Sequence, residues 1–274
     1  MPELPEVETV VRDLRTAVMG RQVVSVELGH PKVLRFPVPE VFVAVLPGQR
    51  FAAVARRGKF ILCELQGGED LVVHLGMTGH LRVCDADTTI PRHTHMRVRL
   101  DDGRELRYDD ARRFGRIMLG PRALLEDSRV LPALGVEPLS EEFTADRLDQ
   151  VLRTTTRTVK AALLDQRGVA GLGNIYIDEA CHLAGVRPQR RCHMLTRAQR
   201  AALHAAIPAV LITAIHNRGS SIDDYRDLWN AKGTNQERLQ VYGRGGQPCF
   251  RCGTELRQAT VAGRTTVWCP SCQR

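Results

Sequence analysis

The chain begins Met1-Pro2-Glu3-Leu4-Pro5-Glu6-Val7-Glu8, and this stretch sets where its first helix starts. Pro5 suits the first turn of a helix, where its missing N–H has no partner, and nearby carboxylates favour the positive end of the helix dipole. Apolar residues then recur at helical spacing up to Gly20, which is typical of a helix end: Val7, Val10, Val11, Leu14 and Val18. The stretch therefore predicts a helix whose acidic start is held against a core.

The same eight residues also have a chemical interpretation. Removal of Met1 would leave Pro2 with a free secondary amine, and an α-amino group has an ordinary pKa of about 8, so part of it is unprotonated at neutral pH. Such an amine can act as a nucleophile. If Met1 is retained, Pro2 has only an amide nitrogen. On these residues alone both interpretations stay open, because a short motif is a hypothesis until its context is known.

Length and charge limit the class of protein. At 274 residues the chain is long enough for two domains. It has no run of eighteen apolar residues and no recognisable signal peptide, so we expect a cytoplasmic protein without a membrane span. The net charge is +8, and lysine occurs only at Lys32, Lys59, Lys160 and Lys232, so the basic residues are mostly arginine. This indicates a polyanionic partner, although an arginine-rich coding bias would produce it too.

The eight cysteines fall into two groups. Four lie among apolar or strand-like residues and are expected to be small buried side chains: Cys63, Cys84, Cys181 and Cys192. The others form two C-x-x-C pairs with sixteen residues between them: Cys249 and Cys252, then Cys269 and Cys272. Four thiolates at this spacing can bind one structural Zn²⁺ in a closed site. Disulfides are the alternative, and a reducing cytoplasm disfavours them.

Between residue 22 and about residue 119, short β-rich runs alternate with turn residues. Closely spaced strands of this kind favour a sandwich or a flattened barrel. Examples of the predicted strands are residues 23–26, 51–55, 59–65, 71–75, 96–100 and 116–119.

Polar turns in this β region suggest contact with a nucleic acid. Arg56-Arg57-Gly58-Lys59 is either a phosphate clamp or a solvated hairpin tip, and the compact ammonium of Lys59 could both neutralise a phosphate and give up a proton. Met77 lies in a glycine-flanked turn, and Arg112-Arg113-Phe114 places guanidinium groups beside an aromatic ring. An apolar wedge with an arginine can hold open a duplex from which a base has been extruded. Taken singly, turns of each kind are more often ordinary loop and core residues.

The second half of the chain has helical periodicity. A linker over residues 131–144 precedes helices predicted at 145–153, 158–166, 174–184 and 196–217, the last opened by a capping box at Thr196 and Gln199. Gly168-Val169-Ala170-Gly171-Leu172-Gly173-Asn174 lies between the second and third helices. With Asn174 as the helix cap, this segment could bind an anion through free N–H groups. A dinucleotide site is excluded, because a helix and not a strand precedes the glycines.

The last segments are a polar stretch and the cysteine-containing tail. Residues 220–240 have no firm periodicity and are interpreted as a mobile loop, either a lid or a connector. In the tail, residues 256–261 and 265–268 predict a hairpin with Ala262-Gly263-Arg264 at its tip. An arginine there is a candidate phosphate contact, although a free surface arginine is the common outcome. His93-Thr94-His95 has no other ligands at metal spacing and is interpreted as a polar contact.

Taken together, the motifs resemble formamidopyrimidine-DNA glycosylase, in the family's order from residue 2 to residue 273. The motifs are Pro2-Glu3-Leu4-Pro5-Glu6-Val7-Glu8, Leu75-Gly76-Met77, Arg112-Arg113-Phe114-Gly115, Gly171-Leu172-Gly173-Asn174-Ile175-Tyr176, Tyr242-Gly243-Arg244 and the four-cysteine tail. The resemblance implies an α+β fold with an N-terminal β-sandwich opened by a helix, then a helix–two-turn–helix domain with a zinc finger. It places the catalytic domain at 1–130, a linker at 131–144, the helical domain with a lesion-covering loop (about 220–240) at 145–240, and the zinc finger at 241–274.

The resemblance also implies an activity and residue roles. A monomeric bacterial enzyme associated with the nucleoid would excise oxidised purines, such as 8-oxoguanine and formamidopyrimidines, from double-stranded DNA and then cut the strand by β,δ-elimination. Pro2 would attack C1′ of the flipped nucleotide and form an iminium, with acid–base help from Glu3 and a pocket organised by Glu6. Lys59 and Arg264 would be the proton donors for β- and δ-elimination.

The remaining implied roles concern DNA binding. Asn174 and Arg264 would bind phosphates that flank the lesion, and Lys160 and His93 would be further DNA contacts. The gap left by the extruded base would be filled by Met77, Arg112 and Phe114.

Two alternatives remain beside this interpretation. One is a sister enzyme for oxidised pyrimidines, which the Glu-Leu-Pro-Glu start disfavours. The other is a non-catalytic zinc protein that binds damaged DNA and would need none of Pro2, Glu3 and Lys59, all of which are present. The sequence departs from the family's pattern at Asn235, where an aromatic residue is common, so the preference between 8-oxoguanine and formamidopyrimidine stays open.

Overall fold

In a computed structural model the protein forms two compact units, and residues 1–222 and 224–274 are described. Unit 1 comprises Met1–Ala133 and Asn217–Thr234. Unit 2 comprises Leu134–His216 and Asn235–Arg274.

Unit 1 contains two β-sheets preceded by a helix. The helices are α1 (Leu4–Val18), α2 (Pro39–Val45) and α3 (Arg122–Asp127). The strands are β1 (Val23–Leu28), β2 (Leu34–Phe36), β3 (Phe51–Arg57), β4 (Phe60–Leu65), β5 (Asp70–His74), β6 (Gly79–Asp85), β7 (Thr94–Leu100), β8 (Arg104–Asp110) and β9 (Arg116–Gly120). One sheet has the order β1-β7-β8-β6 and is antiparallel. The other has the order β2-β9-β5-β4-β3, in which β2 and β9 are parallel and the other neighbours are antiparallel.

One hydrophobic core joins the two sheets and α1. All five apolar positions that the sequence predicts for the buried face of α1 are at most 1% exposed. Burying a valine or leucine side chain contributes about 1.5–3 kcal/mol. The acidic start of α1 is therefore fixed in place by the packing behind it.

The segment Asn217–Thr234 belongs to unit 1, whereas the domain bounds implied by the resemblance include it in the helical domain. Tyr225 and Leu228 are buried in the core of unit 1. Arg218 forms ion pairs with Asp13 on α1 and with Asp227 in its own segment. Tyr225, Leu228 and Arg218 are held by apolar and ionic contacts that no local periodicity indicates. The mobility expected of residues 220–240 stays a prediction, and residue 223 of that stretch lies outside the described residues.

Unit 2 combines four helices with a two-stranded hairpin. The helices are α4 (Ala145–Arg153), α5 (Val159–Leu164), α6 (Asn174–Leu183) and α7 (Arg197–His216), and the strands are β10 (Arg257–Val261) and β11 (Arg264–Trp268). Two turns connect α5 to α6, and the capping box before α7 is present in both directions between Thr196 and Gln199. The α+β class and the helix–two-turn–helix arrangement are therefore confirmed.

Within the described residues 1–222 and 224–274, one helix passes a length and composition test for crossing a membrane. This helix is α7. It packs against α4 and α6. The buried residues of α7 are Leu203, Ala206, Ile207, Leu211, Ala214 and Ile215.

Candidate functional site

The residues that follow Met1 are buried, and a carboxylate binds their backbone. Pro2 and Glu3 are both buried immediately before α1. Glu6 Oε2 accepts a hydrogen bond of 2.8 Å from the backbone N–H of Glu3, and Glu6 Oε1 accepts one of 2.8 Å from the backbone N–H of Ser220. The Glu6 side chain is 1% exposed. One carboxylate therefore orders both the chain start and the segment Asn217–Thr234.

Lys59 lies in the turn between β3 and β4 and is 6% exposed. The turn depends on Gly58, whose φ of +57° is in the left-handed region that favours glycine. Arg56 Nη1 donates to the carbonyl of Gly58 at 3.1 Å, while its Nε pairs with Glu8 of α1 at 3.1 Å. Arg56 and Glu8 therefore tie the turn that carries Lys59 to the helix that follows Pro2.

His74 is close enough to Lys59 for the two to interact electrostatically. Burial, followed by the positive charges of Lys59 and Arg116, lowers the pKa of His74 to about 4. Its Nδ1 accepts a hydrogen bond of 3.2 Å from the backbone N–H of Gly76. The imidazole is therefore neutral at physiological pH and adds no second positive charge beside Lys59.

Two adjoining turns expose apolar side chains. Met77 lies in the turn between β5 and β6 and is 40% exposed, and Phe114 lies in the turn between β8 and β9 and is 52% exposed. The guanidinium carbon of Arg112 is 4.7 Å from the centre of the Phe114 ring, which is a cation–π contact. The structure therefore brings Arg112 and Phe114 together, as the sequence motif suggests.

Asp110 was not predicted from the sequence, although its carboxylate connects these two turns. It is 0% exposed, at the end of β8, and its carboxylate accepts hydrogen bonds from both of these turns. The hydrogen bonds from Thr78 and from backbone N–H groups keep its pKa below the ordinary value despite burial, which alone would raise it. The only sequence signal was the position of Asp110 immediately before the arginine–phenylalanine motif.

The two histidines of His93-Thr94-His95 have different environments. His93 is exposed and lines a cavity of about 510 Å³, and its carbonyl accepts a hydrogen bond of 2.9 Å from the backbone N–H of Asp110. His95 is buried, and its Nε2 is 2.8 Å from the carbonyl of Asp110. Only His93 is therefore placed to contact a molecule outside the protein.

In unit 2, Asn174 is the first residue of α6 and not its cap. The capping position is taken by Gly173. The side-chain Nδ2 of Asn174 donates a hydrogen bond of 3.1 Å to the carbonyl of Thr265 in β11. The prediction that Asn174 caps the helix is wrong, because its amide is turned towards the hairpin.

Lys160 does not match its predicted role as a DNA contact. Its side chain is 0% exposed, and its Nζ lies 2.6 Å from Asp178 Oδ1, which is also 0% exposed. The same Nζ is 3.4 Å from the carbonyl of Thr265. Since the ammonium group is enclosed by a carboxylate and a carbonyl, the prediction of direct contact is wrong, and Lys160 acts inside unit 2.

Arg264 is exposed and begins strand β11, opposite Val261 in the register. Ala262 and Gly263 alone form the tip, and both have a positive φ. The sequence predicted Arg264 in the tip itself. The strand geometry instead fixes the backbone of Arg264 and leaves its side chain exposed.

The four cysteines of the tail converge as a metal centre. Each Sγ lies within 4.8 Å of the others, and the Sγ atoms of Cys252 and Cys269 are 3.5 Å apart. Four Zn–S bonds of about 2.3 Å in a tetrahedron need S–S distances of about 3.8 Å. The cluster therefore fits one structural Zn²⁺, as the sequence predicts, and a closed four-thiolate site leaves no position for substrate.

Helix α6 holds the tail through several polar side chains. Glu179 accepts hydrogen bonds of 2.8–2.9 Å from three successive backbone N–H groups, those of residues 240–242. Asp178 Oδ2 accepts one of 3.1 Å from the backbone N–H of Val267. His182 Nε2 lies 3.5 Å from Cys249 Sγ, and burial lowers the pKa of this histidine, helped by Arg251 and Arg244. No sequence pattern indicated these contacts. Helical periodicity predicts which apolar residues of a helix are buried, and these contacts are made by polar side chains.

Three protein families match successive parts of the chain. The family described as formamidopyrimidine-DNA glycosylase N-terminal domain matches residues 1–117, and formamidopyrimidine-DNA glycosylase H2TH domain matches residues 134–226. Zinc finger found in FPG and IleRS matches residues 246–274. Formamidopyrimidine-DNA glycosylase of Herpetosiphon aurantiacus is 45% identical over the whole of both chains, and that of Desulforamulus reducens is 42% identical over all of this chain and 99% of its own.

Solved structures of similar proteins extend the comparison to three dimensions. A complex between a mutant Lactococcus lactis FPG and a Fapy-dG containing DNA has a TM-score of 0.93 at 36% identity, covering both chains completely. A complex between Lactococcus lactis Fpg and an abasic site containing DNA has a TM-score of 0.92 at 36% identity over 99% of each chain. The MutM (FPG) protein from Thermus thermophilus has a TM-score of 0.89 at 42% identity over 99% of this chain and 98% of that one.

Proposed function

Because the chain belongs to the formamidopyrimidine-DNA glycosylase family, and so is a DNA glycosylase of base-excision repair, we propose that it excises oxidised purines by covalent attack from Pro2 and then cuts the strand. The observation that carries this proposal is the buried start of the chain. Pro2 and Glu3 lie there beside Glu6, whose carboxylate fixes the Glu3 backbone. A nucleophile with a carboxylate next to it is the arrangement that covalent catalysis requires.

The proposed reaction begins once Met1 has been removed. The Pro2 nitrogen attacks C1′ of the extruded nucleotide, the bond between C1′ and the base breaks, and the base leaves with a proton. The sugar ring then opens: the bond between C1′ and O4′ breaks, O4′ takes a proton, and C1′ and the Pro2 nitrogen form an iminium. The iminium withdraws electrons, so a carboxylate such as Glu3 can remove a proton from C2′, and the bond between C3′ and the 3′ phosphate breaks as the phosphate leaves. This is covalent catalysis by an amine, which divides one difficult displacement into easier steps. Lys59 donates protons for this β-elimination, and Arg264 does so for the following δ-elimination.

Base extrusion is assigned to the exposed turns of unit 1. Met77, Phe114 and Arg112 occupy the space that the extruded base leaves in the duplex. Their exposure and the contact of Arg112 with the Phe114 ring support this role. Extrusion costs a few kcal/mol, and less for a damaged pair, so it contributes to selectivity.

DNA binding is assigned to polar groups in both units. Asn174 and Arg264 bind phosphates next to the lesion, and His93 is a further contact. The exposure of Arg264 and His93 and the net charge of +8 support this role. Structural Zn²⁺ holds the tail that carries Arg264, and it takes no part in the reaction.

We assign oxidised purines as substrates, with a monomeric enzyme acting on bacterial DNA in the cytoplasm. The related Lactococcus lactis protein was solved with Fapy-dG containing DNA, which supports purine lesions for this chain. The alternative is a preference for oxidised pyrimidines. Excision rates for formamidopyrimidine, 8-oxoguanine and thymine glycol in matched duplexes distinguish the two, and we expect thymine glycol to be the slowest.

Borohydride trapping tests the nucleophile. Protein mixed with lesion-containing duplex and borohydride should give a reduced covalent adduct, and mass mapping should locate the sugar on Pro2 of a chain that lacks Met1. Pro2→Gly should slow strand cutting at least tenfold, while Pro5→Ala, a proline removed from the same helix start, should stay within about threefold. An adduct on a lysine, retention of Met1 in active protein, or full activity of Pro2→Gly would overturn the proposal.

A further inference from the structure

Asp110 connects two turns that are far apart in sequence. Its Oδ1 accepts hydrogen bonds from Thr78 Oγ1 at 2.6 Å and from the backbone N–H of Arg112 at 3.2 Å. Its Oδ2 accepts from Tyr108 Oη at 3.1 Å and from the backbone N–H of Gly115 at 2.8 Å. One buried carboxylate therefore receives four donors, one from the Met77 turn, two from the turn that carries Arg112 and Phe114, and one from strand β8.

The two turns also pack so closely that no side chain fits between their backbones at Gly76 and Gly115. A Cβ added to Gly76 would lie 2.5 Å from the backbone nitrogen of Gly115, and one added to Gly115 would lie 1.6 Å from Tyr108 Oη. Gly76 also has a φ of +67°. Contacts this close need glycine at both positions, so the turns pack backbone to backbone around the Asp110 carboxylate.

The backbone of Asp110 fixes a third segment. Its N–H donates to the carbonyl of His93, and its own carbonyl is hydrogen-bonded by His95. The segment with the exposed His93 is therefore held to the same residue as the two turns. All of these contacts lie inside unit 1.

We propose that Asp110 is a positioning residue that holds Met77, Arg112 and Phe114 as one rigid wedge for the space of an extruded base. This inference rests on the proposed function of those three side chains. Asp110 itself is fully buried, so its carboxylate acts through the two turns that it holds. A wedge on two separately mobile turns would have to be ordered during base extrusion, whereas this one is ordered before DNA binds.

A carboxylate is required because all four partners are donors. An asparagine side chain has one acceptor oxygen, and its amide nitrogen would face the N–H of either Gly115 or Arg112. Neither backbone N–H can rotate away. Asp110→Asn is therefore expected to loosen one turn from the other while keeping the size of the side chain.

The test compares substrates that need the wedge to different degrees. Asp110→Asn should excise a lesion from fully paired duplex about ten- to a hundredfold more slowly, because small misplacements of positioned groups have effects of this size. Cutting of an abasic site in single-stranded DNA should change less than about twofold. A lesion opposite an abasic position, where no partner base must be replaced, should restore most of the lost rate. Asp85→Asn, at the exposed far end of β6, is the matched control and should behave as wild type.

Thr78→Val provides a second variant if Asp110→Asn unfolds. It removes the hydroxyl that donates to Asp110 and accepts a hydrogen bond of 3.2 Å from the backbone N–H of Arg112, with little change in shape. We therefore expect the same ranking of the three substrates with a smaller loss. Equal losses on duplex and single-stranded substrates, or unchanged duplex excision in a folded Asp110→Asn protein, would overturn the proposal. Failure of the proposed function itself would appear differently, as wild-type protein that gives no borohydride adduct.

Discussion

Glu6 shows how a single buried side chain can join parts of a chain that are distant in sequence. Its two oxygens bind backbone N–H groups of Glu3 and Ser220, and Ser220 is 214 residues further along the chain. Hydrogen bonds to a charged group contribute about 1.5–3 kcal/mol each, and the loss of a buried partner costs more than the bond is worth. The start of the chain and Asn217–Thr234 are therefore ordered together.

His74 makes stability depend on pH. Its pKa in the folded protein is about 4, below the ordinary 6.5, so the unfolded chain binds a proton first as pH falls. The free energy of unfolding should therefore decrease between pH 6.5 and pH 4, and this residue should account for up to about 2 kcal/mol between pH 7 and pH 5.

Urea unfolding at pH 7 and pH 5 measures this effect. His74→Gln should show a smaller loss of stability on acidification than wild type, whereas His193→Gln, a change at an exposed histidine, should match wild type. The same pH dependence in all three proteins would show that His74 is not held neutral in the folded state.

Among the helices and strands, those with a simple apolar pattern could be predicted from the sequence. Helix α4 has the predicted bounds, residues 145–153, and α1 buries its predicted face. Strand β8 lacks such a pattern, because its buried positions include Glu105 and Arg107, which form an ion pair of 2.7 Å. Because each charge is paired with the other, these two residues can be buried without being apolar. The strand therefore lacks the alternation of apolar and polar residues that predicts a half-buried strand.

Site residues could be predicted where their spacing along the chain determines where they lie. Cys249, Cys252, Cys269 and Cys272 converge because their spacing encodes the site. Lys160 could not be placed, because its buried position depends on Asp178 from a different helix. Asp110 was missed for the same reason, since the partners of its carboxylate come from two turns and one strand.

Helix α6 organises the tail of unit 2, and Lys160 stabilises this arrangement. Burial raises the pKa of Asp178 to about 6, even with Lys160 beside it. Lys160→Met should leave that carboxylate buried without its cation and lower the free energy of unfolding by about 3 kcal/mol at pH 7. The loss should shrink at pH 5, where Asp178 can accept a proton. Strand cutting should fall as well, because the carbonyl of Thr265, next to Arg264, would lose its hydrogen bond from Lys160.

A double-mutant cycle with urea denaturation checks this expectation. Lys160→Met combined with Asp178→Asn should recover part of the stability, because no buried charge is left unpaired. The amide oxygen introduced by Asp178→Asn would still accept a hydrogen bond from the backbone N–H of Val267. Additive losses in the double variant would mean that the ion pair is not the source of the effect.

At the level of the whole molecule, the net charge of +8 governs encounters with DNA. Phosphate contacts release counterions, so the association constant for undamaged duplex should fall at least tenfold between about 50 and 200 mM salt. Arg264→Gln should reduce the slope of log K against log salt by about one.

Fluorescence titration over a salt series measures these slopes. Arg153→Gln is the matched control in unit 2, because this exposed arginine on α4 is paired with Asp149. Its slope should equal that of wild type. Equal slopes for Arg264→Gln and wild type would remove Arg264 from the phosphate contacts.

The membership of Asn217–Thr234 in unit 1 has a consequence for biosynthesis. A ribosome must make 234 residues before the first unit has all of its parts, and by then the larger segment of the second unit, Leu134–His216, has already been synthesised. Until that moment Glu6 lacks the Ser220 N–H, and Asp13 lacks Arg218. The nascent N-terminal half is therefore an incomplete folding unit, and the contacts that hold α1 are completed only late in translation.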